Sequence, residues 1–554
     1  MSRDEAVLSV QNLTVGFAKH RKINTVVDHI SFDVKKGEIL GIVGESGSGK
    51  TITALSVMGL LPASAKILSG GIHFLGTNLL ALEEKELRRL RGTGISMVFQ
   101  DSMTSFNPLL TMGAQVEEML RLHSKHTKEE YRALTLDAFA EVGLSNPSEI
   151  YCMYPHQMSG GMRQRAMIAM AMIAGPKLVI ADEPTTSLDV TTQNKILRLL
   201  KKMNEKHGTS IILISHDLRV VQSICDRVIV MKEGRIVESG TVKELFASPG
   251  TEYARQLISA VPLLFYKSGR GQNNVSLTRL KENDTEDSSN HEGHGKGQEE
   301  ILLIRNLNVF YTEKGSGLFG KNSRKQVIRG ANISLKKGET LGIVGESGSG
   351  KSTLAKAIVG LNREIEGMIK INDVSAKGGE VFVPRPRMVF QDPYGSLNPT
   401  KKIGWILEEP LKLQANLGKK ERMARVNEMI HQVGLTTEYL ERYPSQLSGG
   451  QRHRVAIAAA LIVNPELVIL DEPVSSLDVT IQAQILCLLK ELQKKYNLTY
   501  IFISHDLNVV YQMCNRVCVI YKGEIVEMKD VNELFFRPQN EYTKELLKSA
   551  MATV

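Results

Sequence analysis

Short, wholly apolar runs alternate along this chain with stretches in which apolar residues recur at helical spacing. Residues 39–43, 178–181 and 211–214 are too short for helices and lack an apolar–polar alternation. That pattern predicts strands covered on both faces, as in a parallel sheet. Residues 191–203 and 480–492 carry isoleucine and leucine three and four apart, which predicts helices with one apolar stripe. Strand followed by helix, repeated, gives an α/β layered core. A helix-rich insert is expected between Gln100 and Met158, with a counterpart between Gln391 and Leu447.

The whole pattern occurs twice. GEILGIVGESGSGKT, from Gly37, returns as GETLGIVGESGSGKS, from Gly338. MVFQD at Met97 returns at Met388, and MSGGMRQR at Met158 returns as LSGGQRHR at Leu447. DEPTTSLDVT at Asp182 returns as DEPVSSLDVT at Asp471, and ISHDL at Ile214 returns at Ile503. Ser159 and Ser448, Asp182 and Asp471, and His216 and His505 are all 289 apart, whereas Lys50 and Lys351 are 301 apart. Length therefore varies mainly ahead of the glutamines, where loops and edge strands absorb it. The expected division is a first domain over 1–265, a flexible linker over 266–299 and a second domain over 300–554. The linker is polar and rich in Gly, Asn, Ser and charge. Its His291 and His294 have no further ligands nearby and read as solvated.

Composition narrows the function classes. The net charge of +9 could point to nucleic acid, but no block of basic residues accompanies it, which fits a solvated surface. The five cysteines are scattered without a CxxC pair, as expected of thiols in a reducing compartment. Cys514 and Cys518 would share one helical turn if that stretch were helical. The longest apolar candidate, 166–174, meets Gly175-Pro176 well short of the roughly 20 residues a spanning helix needs. The N-terminus lacks a signal-peptide apolar core. A cytosolic chain is expected, with any membrane spans supplied by other subunits.

The repeated motifs carry phosphate chemistry. Gly44, Glu45, Ser46, Gly47, Ser48, Gly49, Lys50 and Thr51 fit GxxxxGK[ST] between an apolar strand and a helix. Gly345, Glu346, Ser347, Gly348, Ser349, Gly350, Lys351 and Ser352 repeat it, with Thr353 following. Glycines let backbone N–H groups wrap phosphate oxygens, and the helix N-terminus adds its positive end. Lys50 and Lys351 would reach the β- and γ-phosphates, and Thr51 and Ser352 would ligate Mg2+. Asp182 and Asp471 end apolar runs and suit the Mg2+ shell, while Glu183 and Glu472 are placed to position the attacking water. His216 and His505 would contact the γ-phosphate, and Gln100 and Gln391 would touch both metal and water. Ser159-Gly160-Gly161 and Ser448-Gly449-Gly450 open helices with a hydroxyl and two bare backbones, a second phosphate-binding device. One nucleotide does not need two such grips in one domain, so each signature is expected to serve the nucleotide held by the other copy.

P-loop, glutamine, SGGxxxR, DE, SLD and SHD in this order resemble the ATP-binding-cassette ATPases, over nearly the whole chain outside the linker. The resemblance implies tandem P-loop domains, each with a mainly parallel sheet core, an antiparallel β subdomain and a helical subdomain. It implies head-to-tail pairing within the chain: Ser448 and Gly450 would close on ATP at Lys50, and Ser159 and Gly161 on ATP at Lys351. Asp189 and Asp478 would lie across that interface. Phe17 and Tyr311 match the family's adenine-stacking position. SFNPLLTMG and SLNPTKKIG after the glutamines, with SPGTEYARQLISAVP and RPQNEYTKELLKSA at the two tails, look like the ATPases of bacterial dipeptide, oligopeptide and nickel importers. On that resemblance the partners are two polytopic permeases and an extracytoplasmic solute-binding protein, at the cytoplasmic face of the membrane, with no nucleic acid. The alternative is a soluble tandem ATPase acting on ribosome or nucleic acid. Three departures stand out. The usual His-Pro-Tyr tail reads Thr-Glu-Tyr at Tyr253 and Asn-Glu-Tyr at Tyr542. The cysteine cluster of some relatives is absent, so no iron–sulfur cluster is expected. Met158 and Met162 replace the commoner Leu and Gln of the signature.

Overall fold

The structure is a computed structural model that describes residues 5–19, 22–186, 188–259, 299–313, 323–372, 374–376, 386–413, 417–475 and 477–551. The linker expected over 266–299 lies outside the described residues except at its last position, as do Ser187 and Ser476 of the SLD turns.

The chain divides into two compact units, which follow the two halves of the sequence except that Asp478–Thr480 groups with the first. In the first, a six-stranded sheet runs in the order Arg235–Thr241, Arg227–Lys232, Ile39–Val43, Ser210–Ile214, Leu178–Asp182, Ile95–Val98. All neighbours are parallel except the outermost strand, Arg235–Thr241. Ile39–Val43, Ser210–Ile214 and Leu178–Asp182 are buried at every position, which is why they read as unbroken apolar runs.

Alternate residues of these strands enter two different cores. Leu40, Ile42, Ile180 and Ile212 pack with Leu13, Ile30, Ala54 and Val57. Ile39, Val179, Ala181, Ile211 and Leu213 pack with Met167, Ile168, Ile196 and Leu200. A period of two on each strand therefore holds an antiparallel sheet on one side and helices on the other. That antiparallel sheet is Lys22–Lys35, Ala6–Lys19, Ala65–Phe74 and Thr77–Asn78. The expected helical insert is present as Met112–His123, Lys128–Glu141 and Pro147–Cys152, leading into Gly160–Met172.

The second unit repeats the plan. Its sheet order is Arg387–Val389, Leu467–Asp471, Thr499–Ile503, Thr340–Val344, Arg516–Tyr521, Glu524–Asp530, with the last strand antiparallel. Helices Ile403–Lys412, Lys419–Gln432 and Gly449–Leu461 form its helical part. The predicted helices over 191–203 and 480–492 are found as Val190–His207 and Val479–Tyr496.

One sequence expectation changes. Cys514 ends the helix Leu507–Met513 in an extended conformation, and Cys518 lies on the strand Arg516–Tyr521. The two thiols do not share a helical turn, because the chain leaves the helix at Cys514. All five cysteines are free thiols.

Candidate ATP sites

Each phosphate loop is the crossing from a buried strand to a helix. Gly44, just after Ile39–Val43, has φ 155, and a Cβ there would lie 2.2 Å from the carbonyl oxygen of Met231. Gly345 has φ 152 and the same 2.2 Å approach to the Ile520 oxygen. Only glycine lets the loop lie this close to the neighbouring strand. The helices Lys50–Met58 and Lys351–Ile358 follow. Lys50 Nζ donates to the carbonyls of Gly44 and Glu45, both at 2.8 Å. Lys351 Nζ does the same to Gly345 and Glu346, again both at 2.8 Å. Each lysine is thus folded over its own loop, and burial pulls Lys50 below the ordinary lysine range.

The carboxylates arrive from the adjacent strand. Thr51 Oγ1 donates to Asp182 Oδ1 at 3.3 Å, and Ser352 Oγ to Asp471 Oδ1 at 3.2 Å. Burial pushes the Asp182 carboxyl up to about 6 and raises Asp471 as well. A buried carboxylate beside a hydroxyl is an all-oxygen donor pair that suits a hard divalent cation. Among the described residues no group of three or more His, Cys, Asp or Glu could hold a metal alone. The remaining ligands would be the amide oxygen of Gln100 or Gln391 together with phosphate or water oxygens, as at a nucleotide.

Glu183 and Glu472 leave the strand in the left-handed region, with φ 48 and 49. Such a backbone is costly for a non-glycine residue and tends to mark functional positions. It is held by the bond from Glu183 N–H to the Ile214 oxygen, and from Glu472 N–H to Ile503, both at 2.9 Å. The turn brings each carboxylate to a glutamine and a histidine from other parts of the unit. Glu183 Oε2 accepts from Gln100 Nε2 at 2.8 Å and from Thr186 Oγ1 at 2.9 Å, with His216 Nδ1 at 3.2 Å. Glu472 accepts from Gln391 Nε2 at 2.9 Å and has His505 Nδ1 at 3.3 Å. Burial opposes charge on both partners, yet the pair overrides it: Glu183 and Glu472 lie below their usual range, and His216 and His505 above theirs.

The signature residues serve a different purpose within their own unit. Ser159 caps Gly160–Met172 by accepting from Met162 N–H, and Ser448 caps Gly449–Leu461 by accepting from Gln451 N–H. Gly161 is needed because a Cβ would meet Thr192 Cγ2 at 2.6 Å, and Gly450 because it would meet Ile481 Cγ2 at 2.6 Å. Gln451 also returns a bond, accepting from Ser448 N–H at 3.0 Å, and so completes a capping box. Met162 cannot do this. Asp189 caps the next helix, accepting from Thr192 N–H at 2.9 Å. Phe17 is half-buried on Ala6–Lys19, and Tyr311 is 39% exposed on Glu300–Glu313.

Two contacts go beyond what the motifs announce. Thr186 joins the Glu183 network, and the tail tyrosines reach the phosphate loops. Glu45 N–H donates to Tyr253 Oη at 3.4 Å, and Glu346 N–H to Tyr542 Oη at 3.0 Å. The available signal is the Glu-Tyr pair recurring at the same 289-residue offset as the signature.

Residues 27–186 and 328–475 match the model of the ABC transporter family. The chain belongs to that family. It is an ABC-type ATPase subunit that binds and hydrolyses ATP. Its relatives include the "Peptidoglycan transport ATP-binding protein YejF" of Agrobacterium fabrum, 42% identical over 99% of this chain and 96% of that protein. The "Glutathione import ATP-binding protein GsiA" of Escherichia coli K12 is 40% identical over 98% of this chain and 89% of that one. Among solved structures, an archaeal ribosome recycling factor in complex with a ribosomal stalk protein aligns with TM-score 0.58 over 97% of this chain and 92% of that one. At 19% identity that likeness shows the fold alone.

Proposed function

We propose that this chain energises the import of peptides or small peptide-like solutes through two polytopic permeases. A solute-binding protein would feed those permeases, and the chain would work from the cytoplasmic face of the membrane. Identity of 40–42% over nearly the full length to relatives named for peptidoglycan transport and glutathione import supports the substrate class. Nickel and other metal chelates are the second class implied by the resemblance to importer ATPases.

The observation that carries the permease partnership is a matched apolar edge. Leu60 (39% exposed) and Leu122 (68%) lie in the first unit, and their counterparts Leu361 (60%) and Leu413 (80%) lie in the second. In the first unit these leucines line a groove of about 710 Å3 with Met58, Met97, Phe99 and Met119, and with Arg88, Arg89 and Arg91 on the same lining. Phe99 immediately precedes Gln100, so whatever fills the groove sits beside the glutamine that bonds Glu183. Among the described residues no helix is long and apolar enough to cross a membrane. An apolar groove with matching exposed leucines in both halves suits a short segment of a membrane partner.

In the catalytic reading, Lys50 and Lys351 leave the loop carbonyls for the β- and γ-phosphate oxygens. Mg2+, held by Thr51, Asp182 and Gln100, or by Ser352, Asp471 and Gln391, would supply charge neutralisation of the phosphates. Glu183 and Glu472 orient a water, whose oxygen bonds to the γ-phosphorus as the bond to the leaving ADP oxygen breaks. The water's proton passes to that carboxylate. His216 and His505 fix the carboxylate's direction and stand where they can hydrogen-bond the γ-phosphate. Each signature helix, with its hydroxyl and N-terminal amides, closes on the nucleotide of the other unit.

Replacing Glu183→Gln together with Glu472→Gln tests this. ATP turnover and labelled-peptide uptake by cells expressing the variant should fall by about 100-fold or more, with ATP binding retained. Unchanged ATPase activity would sink the assigned role.

A further inference from the structure

Each unit ends in a helix that reaches back to its own phosphate loop: Glu252–Ser259 in the first, Glu541–Met551 in the second. A carboxylate on the preceding strand pins each helix start. Glu238 accepts from the N–H groups of Gly250 at 2.7 Å and Thr251 at 2.9 Å. Its counterpart Glu527 accepts from Gln539 at 2.9 Å and Asn540 at 3.1 Å.

The pinned helices deliver the tyrosines. Lys232 Nζ lies 4.7 Å from the centre of the Tyr253 ring, whereas the Tyr521 ring lies 4.2 Å from the Tyr542 ring. Lys232 and Tyr521 occupy the same place in the two copies, so unlike contacts hold both rings in one position. Burial pushes the Tyr253 hydroxyl up to about 12, so it is a neutral O–H at physiological pH. The residue that each hydroxyl meets is engaged from both sides. Glu45 gives its N–H to Tyr253 and its carbonyl to Lys50 Nζ. Glu346 gives its N–H to Tyr542 and its carbonyl to Lys351 Nζ.

We propose that Tyr253 and Tyr542 are positioning residues for ATP binding, whose hydroxyls hold the second residue of each phosphate loop in the binding-competent shape. The proposal rests on the ATP-site reading above and assigns a task to tails that the catalytic motifs leave unexplained. A loop released from this anchor samples other shapes, and ordering it then weakens nucleotide binding. Chemistry after binding is left to the carboxylate networks of Glu183 and Glu472, whose hydrogen bonds come from Gln100, Gln391 and Thr186.

Each loop is read alone in the full-length chain, using Lys351→Ala to silence one site or Lys50→Ala the other, with Mg-ATP titrated calorimetrically. Tyr253→Phe keeps the ring and removes the hydroxyl. In the Lys351→Ala background it should raise the ATP Kd about three- to tenfold, the range of one net hydrogen bond. In the Lys50→Ala background it should leave Kd unchanged. Tyr542→Phe should show the reverse, with the larger effect because its bond is shorter. In the otherwise native chain the Phe variants should raise KM for ATP with kcat preserved. Glu238→Gln, which loosens the helix start without touching loop or tyrosine, should weaken the Lys50 site alone. Kd values unchanged in both Phe variants, or equal weakening at both sites, would overturn the proposal. ATP binding that survives Lys50→Ala with Lys351→Ala would instead overturn the ATP-site reading.

Discussion

At the residue scale, motif and order alone point to Lys50, Thr51, Asp182, Glu183, Gln100 and His216, and the fold gathers all six around one loop. What the sequence does not show is how their charges balance. Glu183 lies below its usual range because His216 at 3.2 Å outweighs burial, a balance that no motif encodes. The difference between the two signatures likewise takes its meaning from local geometry. Met162 stands where Gln451 completes a capping box. Met162→Gln should therefore supply the missing acceptor for the Ser159 N–H and stabilise the helix start by about 0.5–1 kcal/mol. Slower hydrogen exchange of the Ser159 amide, compared with the parent, checks it.

At the element scale, the fully buried strands and the long helices follow from their patterns, but the antiparallel sheet does not. Its expectation comes from family resemblance, and the reason lies in its strands. The pairing of Ala6–Lys19 with Lys22–Lys35 shifts register between Val10 and Leu13 and again between Leu13 and Val15. Asn12, inside the first shift, has φ 47. Each bulge resets the alternation, so no single period of two runs along the strand. The docking of the tail helices is equally hidden, because their anchor is a carboxylate more than ten residues away. Glu238 and Glu527 sit below the ordinary carboxyl value of 4.5: burial pushes up, but the hydrogen bonds they accept outweigh it. A folded-state pKa below the unfolded one gives stabilisation that is complete above 4.5 and fades as pH falls through the folded value. The tails should stay docked at about pH 5 and loosen only below 4.5. Limited proteolysis after residue 250, followed from about pH 5 to about pH 3, should show cleavage rising at the acid end.

At the scale of the whole molecule, the sequence contains two complete sets of motifs, and the structure gives each set its own sheet, helices and loop. Within each unit the signature serine caps its own helix. A helix N-terminus of this kind suits a phosphate group, which is the basis of the two-way composite proposed above. Fusion in one chain would fix unlike halves at one to one. The most direct test is site-resolved nucleotide trapping in Ser448→Arg. Trapping is expected to be lost mainly at Lys50, in the opposite half of the chain, while Lys351 retains its nucleotide. Loss at Lys351 with Lys50 unaffected would contradict it.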